Sequence, residues 1–151
     1  MASEKSKTVL CLPGRRRKCV IEFPYIEEIC KDVVLSPIPC LPEYFAGVCN
    51  YKGTIIPVVR LEDAQDGEGG EAGNNGDQGD AKRIVVILKW QKYFLGILSD
   101  QEPFLTDLTE ENRIRGPEKQ ENGMWVEKAY YMCDGKLYFL MDVEKTVGRL
   151  G

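Results

Sequence analysis

The chain has 151 residues, with 20 Lys and Arg, 24 Asp and Glu and no His, which gives a formal net charge of −4. This length predicts one domain over residues 1–151, and the acidic balance argues against a nucleic-acid-binding protein, which usually carries a basic face. The absence of His excludes Ser-His-Asp and Cys-His nucleophiles, His-ligated zinc or haem, and a His general base.

The N-terminal third predicts strands punctuated by proline. Residues 7–12 and 18–23 are apolar runs that flank a Pro-Gly turn and a basic tip, a pattern typical of a hairpin. A further strand is predicted over 26–30. Three closely spaced prolines then exclude a long helix over 37–42, because each lacks an N–H and restricts the residue before it.

The next segment predicts one helical turn and a second hairpin. Residues 42–46 start with proline and are followed by Gly47, so a short helical turn that ends at Gly47 is one interpretation. Two strands, 47–51 and 54–61, are then joined at Lys52-Gly53, where glycine supplies the positive φ that a tight turn needs.

Residues 64–80 are acidic and rich in glycine, with no aromatic residue and no aliphatic residue larger than Ala. Such a composition buries too little surface to offset the entropy lost on ordering, and it predicts a disordered loop. A calcium-binding loop is the alternative, but the spacing of an EF-hand is absent.

The second half predicts two more hairpins and a short helix. Runs over 82–89 and 93–100 flank a turn at Trp90-Gln91-Lys92, and runs over 124–133 and 136–141 flank an Asp-Gly turn. Asp142 suits the N-cap of a short helix over 142–147. Many short strands with few possible helices predict an all-β protein made of two small barrels that share a core.

The sequence offers no catalytic constellation. It lacks a phosphate-binding loop and a nucleophile elbow, and the adjacent Glu27 and Glu28 would point to opposite faces of a strand. The six cysteines include no C-x-x-C pair and predict buried, reduced thiols. A carboxylate- or thiol-based enzyme is the weaker alternative to a protein that binds through sheet edges and apolar patches.

The N-terminal residues contain no apolar stretch typical of a secretory signal. The longest apolar runs, such as residues 84–88, are far shorter than the ~20 residues of a transmembrane helix. We therefore expect a cytoplasmic protein without direct membrane insertion.

Several motifs resemble those of the CheW-like chemotaxis coupling proteins. The family signature contains I-P-x-x-P, then G-V-x-N-x-R-G, then an I-x-P-V-x-D-L strand, and residues 37–61 here read PIPCLPEYFAGVCNYKGTIIPVVRL. The segment Ile26-x-Glu28-Ile29 resembles the family's V-x-E-I strand, the segment 96–100 resembles its hairpin ending in V-D, and 140–144 resembles its L-x-D-x-E ending. Two positions depart from the pattern: Lys52 replaces the usual Arg and loses its bidentate fork, and Arg60 replaces the usual Asp.

The resemblance implies two SH3-like five-stranded β-barrels with a short helical turn and a short C-terminal helix. It implies a non-enzymatic scaffold, without cofactor or metal, that couples the cytoplasmic tip of chemoreceptors to the regulatory domain of a CheA-type histidine kinase. A divergent adaptor of another two-component pathway is the alternative. The receptor-binding positions carried over are Ile26, Glu28, Gly47, Lys52, Ile84, Val85 and Leu105. Because Ile84 and Val85 alternate faces, at least one of them is expected in the core.

Overall fold

The computed structural model describes residues 6–13, 18–39, 44–60, 83–99, 101–115 and 126–148. The predicted disordered loop over 64–80 lies outside these residues, as do the basic tip at 14–17 and the start of the predicted helical turn at 42–43.

The described residues form mainly β-strands. In chain order these are β1 (Ser6–Leu12), β2 (Lys18–Glu22), β3 (Ile26–Cys30), β4 (Phe45–Tyr51), β5 (Thr54–Arg60), β6 (Ile84–Trp90), β7 (Tyr93–Ser99), β8 (Phe104–Thr109), β9 (Arg113–Ile114), β10 (Glu127–Cys133) and β11 (Lys136–Met141), followed by helix α1 (Val143–Gly148). Short 3-10 turns at Phe23–Tyr25 and Glu110–Asn112 precede β3 and β9.

The strands form two sheets that curl into barrel-like arrangements. One has the order β8-β1-β2-β11-β10-β9 and the other β3-β6-β7-β5-β4. Each contains one parallel pair, β2 with β11 and β5 with β7, and its other neighbours are antiparallel. The predicted all-β, two-barrel fold is confirmed. The first sheet has six strands rather than five, because the two-residue β9 adds to the edge of β10.

Buried side chains form one cluster inside each barrel and a third between the barrels. The barrel interiors contain Val9, Cys11, Val20 and Tyr131 in the six-stranded sheet, and Ile56, Val58, Val85 and Ile87 in the five-stranded sheet. The third cluster draws Leu10, Leu12 and Ile21 from one sheet, Val86, Leu88 and Ile97 from the other, and Val143 and Val147 from α1. We call this third cluster the shared core, and it confirms the prediction of a common core.

Two hairpin turns confirm the predicted turn chemistry. Asp134 and Gly135 have φ values of 49° and 76°, and Lys52 and Gly53 have φ values of 50° and 88°. Positive φ at both central residues is typical of the type I′ turn, whose twist matches that of the flanking strands. The Gly53 N–H also donates to Asn50 Oδ1 at 2.9 Å, and this hydrogen bond stabilises the Lys52-Gly53 turn.

The interpretation of Gly47 as the end of a helix is wrong. Phe45 and Ala46 already lie in β4, and Gly47 sits within that strand at an irregularity in its pairing with β5. Gly47 has φ 143°, and a Cβ there would lie 2.7 Å from the backbone oxygen of Ser36. Ser36 and Val48 exchange two backbone hydrogen bonds at 2.9 Å each, so the chain after β3 forms an antiparallel bridge alongside β4.

The C-terminal helix is capped and anchored to the turn that joins the two barrels. Asp142 Oδ1 accepts the Lys145 N–H at 3.0 Å, which confirms the predicted N-cap. Tyr25, in the 3-10 turn between β2 and β3, donates its hydroxyl to Glu144 Oε2 at 2.7 Å. This hydrogen bond, followed by burial and the nearby carboxylates, raises the pKa of Tyr25 to about 12.

Glu22 joins three strands of the six-stranded sheet. Its carboxylate contacts Lys7 on β1 at 3.0 Å and Lys128 on β10 at 3.3 Å. Burial acts to raise the pKa of Glu22, but the hydrogen bonds and attraction from the two lysines outweigh it, and the pKa lies below its ordinary value.

We expect Glu22→Gln to lower the free energy of unfolding by about 1 kcal/mol at neutral pH. A depressed pKa contributes stability above the pKa of the unfolded state, and this contribution is lost as the pH falls through the folded-state pKa. The difference between wild type and variant should therefore shrink below about pH 4 in urea titrations. Glu102→Gln is the control, because its 3.0 Å pair with Lys31 is far more exposed; equal losses in both variants would contradict the expectation.

Candidate partner-binding site

The seven candidate positions are distributed over five elements of the two sheets. Ile26 and Glu28 lie on β3, Gly47 on β4, Lys52 in the β4–β5 turn, Ile84 and Val85 on β6, and Leu105 on β8. The strands β3 and β8 are edge strands, one in each sheet. The structure brings some of these positions together and separates others.

An irregularity in β3 places its apolar and acidic residues on different faces. Ile26 pairs with Leu88 and Glu28 with Ile87, so consecutive residues of β6 face positions two apart on β3. Because Leu88 belongs to the shared core and Ile87 to a barrel interior, Ile26 faces the other barrel while Glu28 does not. Ile29 pairs with Val86 and returns to the face of Ile26.

Leu105 occupies the corresponding place on the six-stranded sheet. It pairs with Leu10, a shared-core residue, yet its own side chain remains 60% exposed. The ion pair between Lys31 Nζ and Glu102 Oε2, at 3.0 Å, connects the end of β3 with the start of β8. Ile26, Ile29 and Leu105 therefore border the same boundary between the barrels, and we call these three residues the interbarrel strip.

A polar cluster lies beside this strip at the closure of the five-stranded barrel. Tyr51 donates its hydroxyl to Glu28 Oε1 at 2.7 Å, and Lys52 Nζ lies 3.7 Å from the same oxygen and 5.2 Å from the centre of the Tyr51 ring. The contact joins β3 and β4, the two edges of the five-stranded sheet. The hydrogen bond to Glu28, followed by burial, raises the pKa of Tyr51 to about 12.

Val85 does not belong to an exposed surface. Its side chain is fully buried in the interior of the five-stranded barrel and therefore cannot contact a partner. Ile84, in contrast, is partly exposed. The expectation that at least one of the two is in the core is confirmed. Gly47 likewise has a packing role, because only glycine accommodates the close approach of Ser36.

Sequence reasoning assigned no partner-binding role to Ile29, Lys31, Tyr51 and Glu102. Ile29 is 38% exposed and completes the interbarrel strip. The position of Ile29 in the V-x-E-I-like segment is a sequence signal that could have indicated this role. The Lys31–Glu102 pair joins residues 71 positions apart, and no local pattern indicates such a contact.

The two departures from the family pattern have different surroundings. The Lys52 side chain is 72% exposed and makes a single carboxylate contact instead of the two parallel bonds that Arg can form. Arg60 ends β5, and its backbone N–H donates to the Tyr44 oxygen at 2.7 Å. The Arg60 Nε atom is buried, and no residue in the described part of the chain hydrogen-bonds to it.

The described residues contain no group of three His, Cys, Asp or Glu side chains that could hold a metal ion. Their cysteines at positions 11, 30, 49 and 133 are free thiols. Burial raises the pKa of Cys11 to about 11, an environment that keeps the thiol protonated and unreactive. Within the same ranges, no helix is both long and apolar enough to cross a membrane.

The two curled sheets and their shared core define an all-β protein of two barrel-like sheets. The model of the CheW-like domain family matches residues 8–150, and the chain belongs to this family. Members of the family are non-enzymatic scaffolds, and membership supports a scaffold role in chemotaxis signalling.

A solved structure with the same fold is that of the scaffolding protein TtCheW from Thermoanaerobacter tengcongensis. It aligns with a TM-score of 0.66 at 19% sequence identity, over 91% of this chain and 90% of that one. A comparison with curated protein sequences finds no match.

Proposed function

We propose that this protein is a non-enzymatic cytoplasmic scaffold that couples the cytoplasmic tip of chemoreceptors to the regulatory domain of a CheA-type histidine kinase. The observation that carries the proposal is the interbarrel strip, in which Ile29 and Leu105 expose apolar surface and Ile26 packs against the shared core. An amphipathic receptor helix has the apolar face that such a surface binds.

Charged residues beside the strip support the same assignment. Glu28 and Lys52 lie next to its β3 side, and the Lys31–Glu102 pair connects its two edges. Charges at the rim of an interface contribute mainly to orientation and to the association rate, while the apolar centre supplies most of the affinity. Ile84, which is partly exposed on the next strand, extends the proposed receptor surface.

We expect Leu105→Ser to weaken receptor binding about tenfold, because about 1.4 kcal/mol of apolar burial is lost from a side chain that is already mostly exposed in the free protein. Isothermal titration calorimetry against the tip hairpin of a chemoreceptor from the source genome measures this change. Met132→Ser is the matched control, since Met132 is 41% exposed on β10, which is not hydrogen-bonded to β8 in the six-stranded sheet.

An unchanged affinity for Leu105→Ser, or a wild-type protein that does not bind the tip, would contradict the receptor assignment. A wild-type protein that binds the tip but not the CheA-type regulatory domain in co-sedimentation would instead favour an adaptor of another two-component pathway. The replacement of the family's Arg by Lys52 is the observation that favours this second candidate.

A further inference from the structure

We propose that Tyr51 is a positioning residue for partner recognition, which fixes the Glu28 carboxylate so that its second oxygen receives a hydrogen-bond donor from the partner. This inference rests on the proposed function, because it assigns a recognition chemistry to the same surface. The partner group would be a cationic or amide side chain, since a carboxylate oxygen accepts hydrogen bonds and does not donate them.

The side chain of Tyr51, whose hydroxyl donates to Glu28, is held rigidly. Tyr51 is only 8% exposed, and its ring packs in the interior cluster of the five-stranded barrel, with its centre 6.0 Å from that of Phe94. A ring fixed in this way holds its hydroxyl at a defined point at the barrel edge. The Glu28 side chain, by contrast, is 46% exposed and would be free to rotate without this hydrogen bond.

The two groups that contact the Glu28 carboxylate approach the same oxygen. Tyr51 Oη and Lys52 Nζ both approach Glu28 Oε1, at 2.7 and 3.7 Å. None of the described residues hydrogen-bonds to Oε2, so this oxygen retains its acceptor capacity. Lys52 Nζ also lies 5.2 Å from the centre of the Tyr51 ring, within the range of a cation–π contact, so the lysine sits on the Oε1 side of the carboxylate.

A Glu28 side chain that is already ordered lowers the entropy cost of binding a partner. Ordering a long polar side chain at an interface costs conformational entropy, and a side chain already held in its bound rotamer avoids this cost on binding. Loss of the Tyr51 hydroxyl should therefore weaken partner binding about fivefold. The effect should pass entirely through Glu28.

A double-mutant cycle tests this coupling in the full chain, with the chemoreceptor tip hairpin as the probe. Tyr51→Phe keeps the buried ring and should weaken binding about fivefold in the wild-type background, but it should cause no further loss in the Glu28→Ala background. Any effect on packing appears in both backgrounds and cancels. Tyr93→Phe is the control, because the Tyr93 ring also has a lysine over it, Lys92 at 5.7 Å, on an exposed hairpin.

Equal weakening by Tyr51→Phe in both backgrounds, or no weakening in either, overturns the positioning role while leaving the receptor assignment intact. A wild-type protein that fails to bind the tip overturns both. The two failures are therefore distinguishable in one set of titrations.

Discussion

Replacing Gly47 with alanine is expected to lower the free energy of unfolding by about 3 kcal/mol. The backbone φ of 143° is strained for any residue with a Cβ, and the new atom would lie 2.7 Å from the Ser36 oxygen. The obstacle is backbone, which cannot rotate away as a flexible side chain does. Relief of the clash would separate Ser36 from Val48 and break their two hydrogen bonds. Urea denaturation of the purified variant measures the loss.

Gly53→Ala separates strain from crowding. Gly53 also has a positive φ, 88°, but a Cβ there would meet no atom within 4 Å. Gly53→Ala is therefore expected to lower the free energy of unfolding by about 1 kcal/mol, the cost of the positive φ alone. Equal losses in the two variants would show that the approach of Ser36 to Gly47 is not tight in solution and would contradict the packing role of Gly47.

Replacing Leu88 with alanine is expected to destabilise the protein by about 3 kcal/mol, because the side chain is fully buried in the shared core and leaves a cavity. The shared core takes side chains from both sheets and from α1. We propose that the chain is a single cooperative domain, in which case the loss must appear in both barrels together.

Amide hydrogen exchange on strands from each sheet measures this cooperativity. Protection on β1 and β2 should fall as much as protection on β6 and β7 in the Leu88→Ala variant. Leu88→Met conserves volume and should cost less than about 1.5 kcal/mol. Loss of protection confined to the five-stranded sheet would show that the barrels unfold independently.

Local turn chemistry explains why much of the fold could be predicted from the sequence. The Asp134-Gly135 and Lys52-Gly53 pairs place their strands without any long-range information, since both turns require positive φ. Gly47 misled the same reasoning because a glycine after a proline-initiated segment resembles a helix end. Its actual requirement arises from Ser36, 11 residues earlier in the sequence, and only the tertiary structure shows it.

The candidate site was predicted less completely than the fold. Motif resemblance found Glu28, Lys52 and Leu105, but a run of four β-branched residues at 84–87 does not show which of them face inward. The pairing of β6 between β3 and β7 decides that Val85 is buried. The irregular pairing of β3 decides the face of Ile29, and the sequence pattern does not reveal it.

The order of strands in the six-stranded sheet bears on how the chain is made. Its strands come from two separate stretches, β1–β2 and β8–β11, and the whole five-stranded barrel is inserted between them. On a ribosome, the β1–β2 hairpin emerges long before β11, its parallel neighbour. The inserted barrel, in contrast, is continuous in sequence and has all its strands as soon as β7 has been synthesised. The last strand of the five-stranded barrel is therefore synthesised before the last strand of the six-stranded barrel. β1 and β2 lack their neighbours β8 and β11 until those later strands have been made.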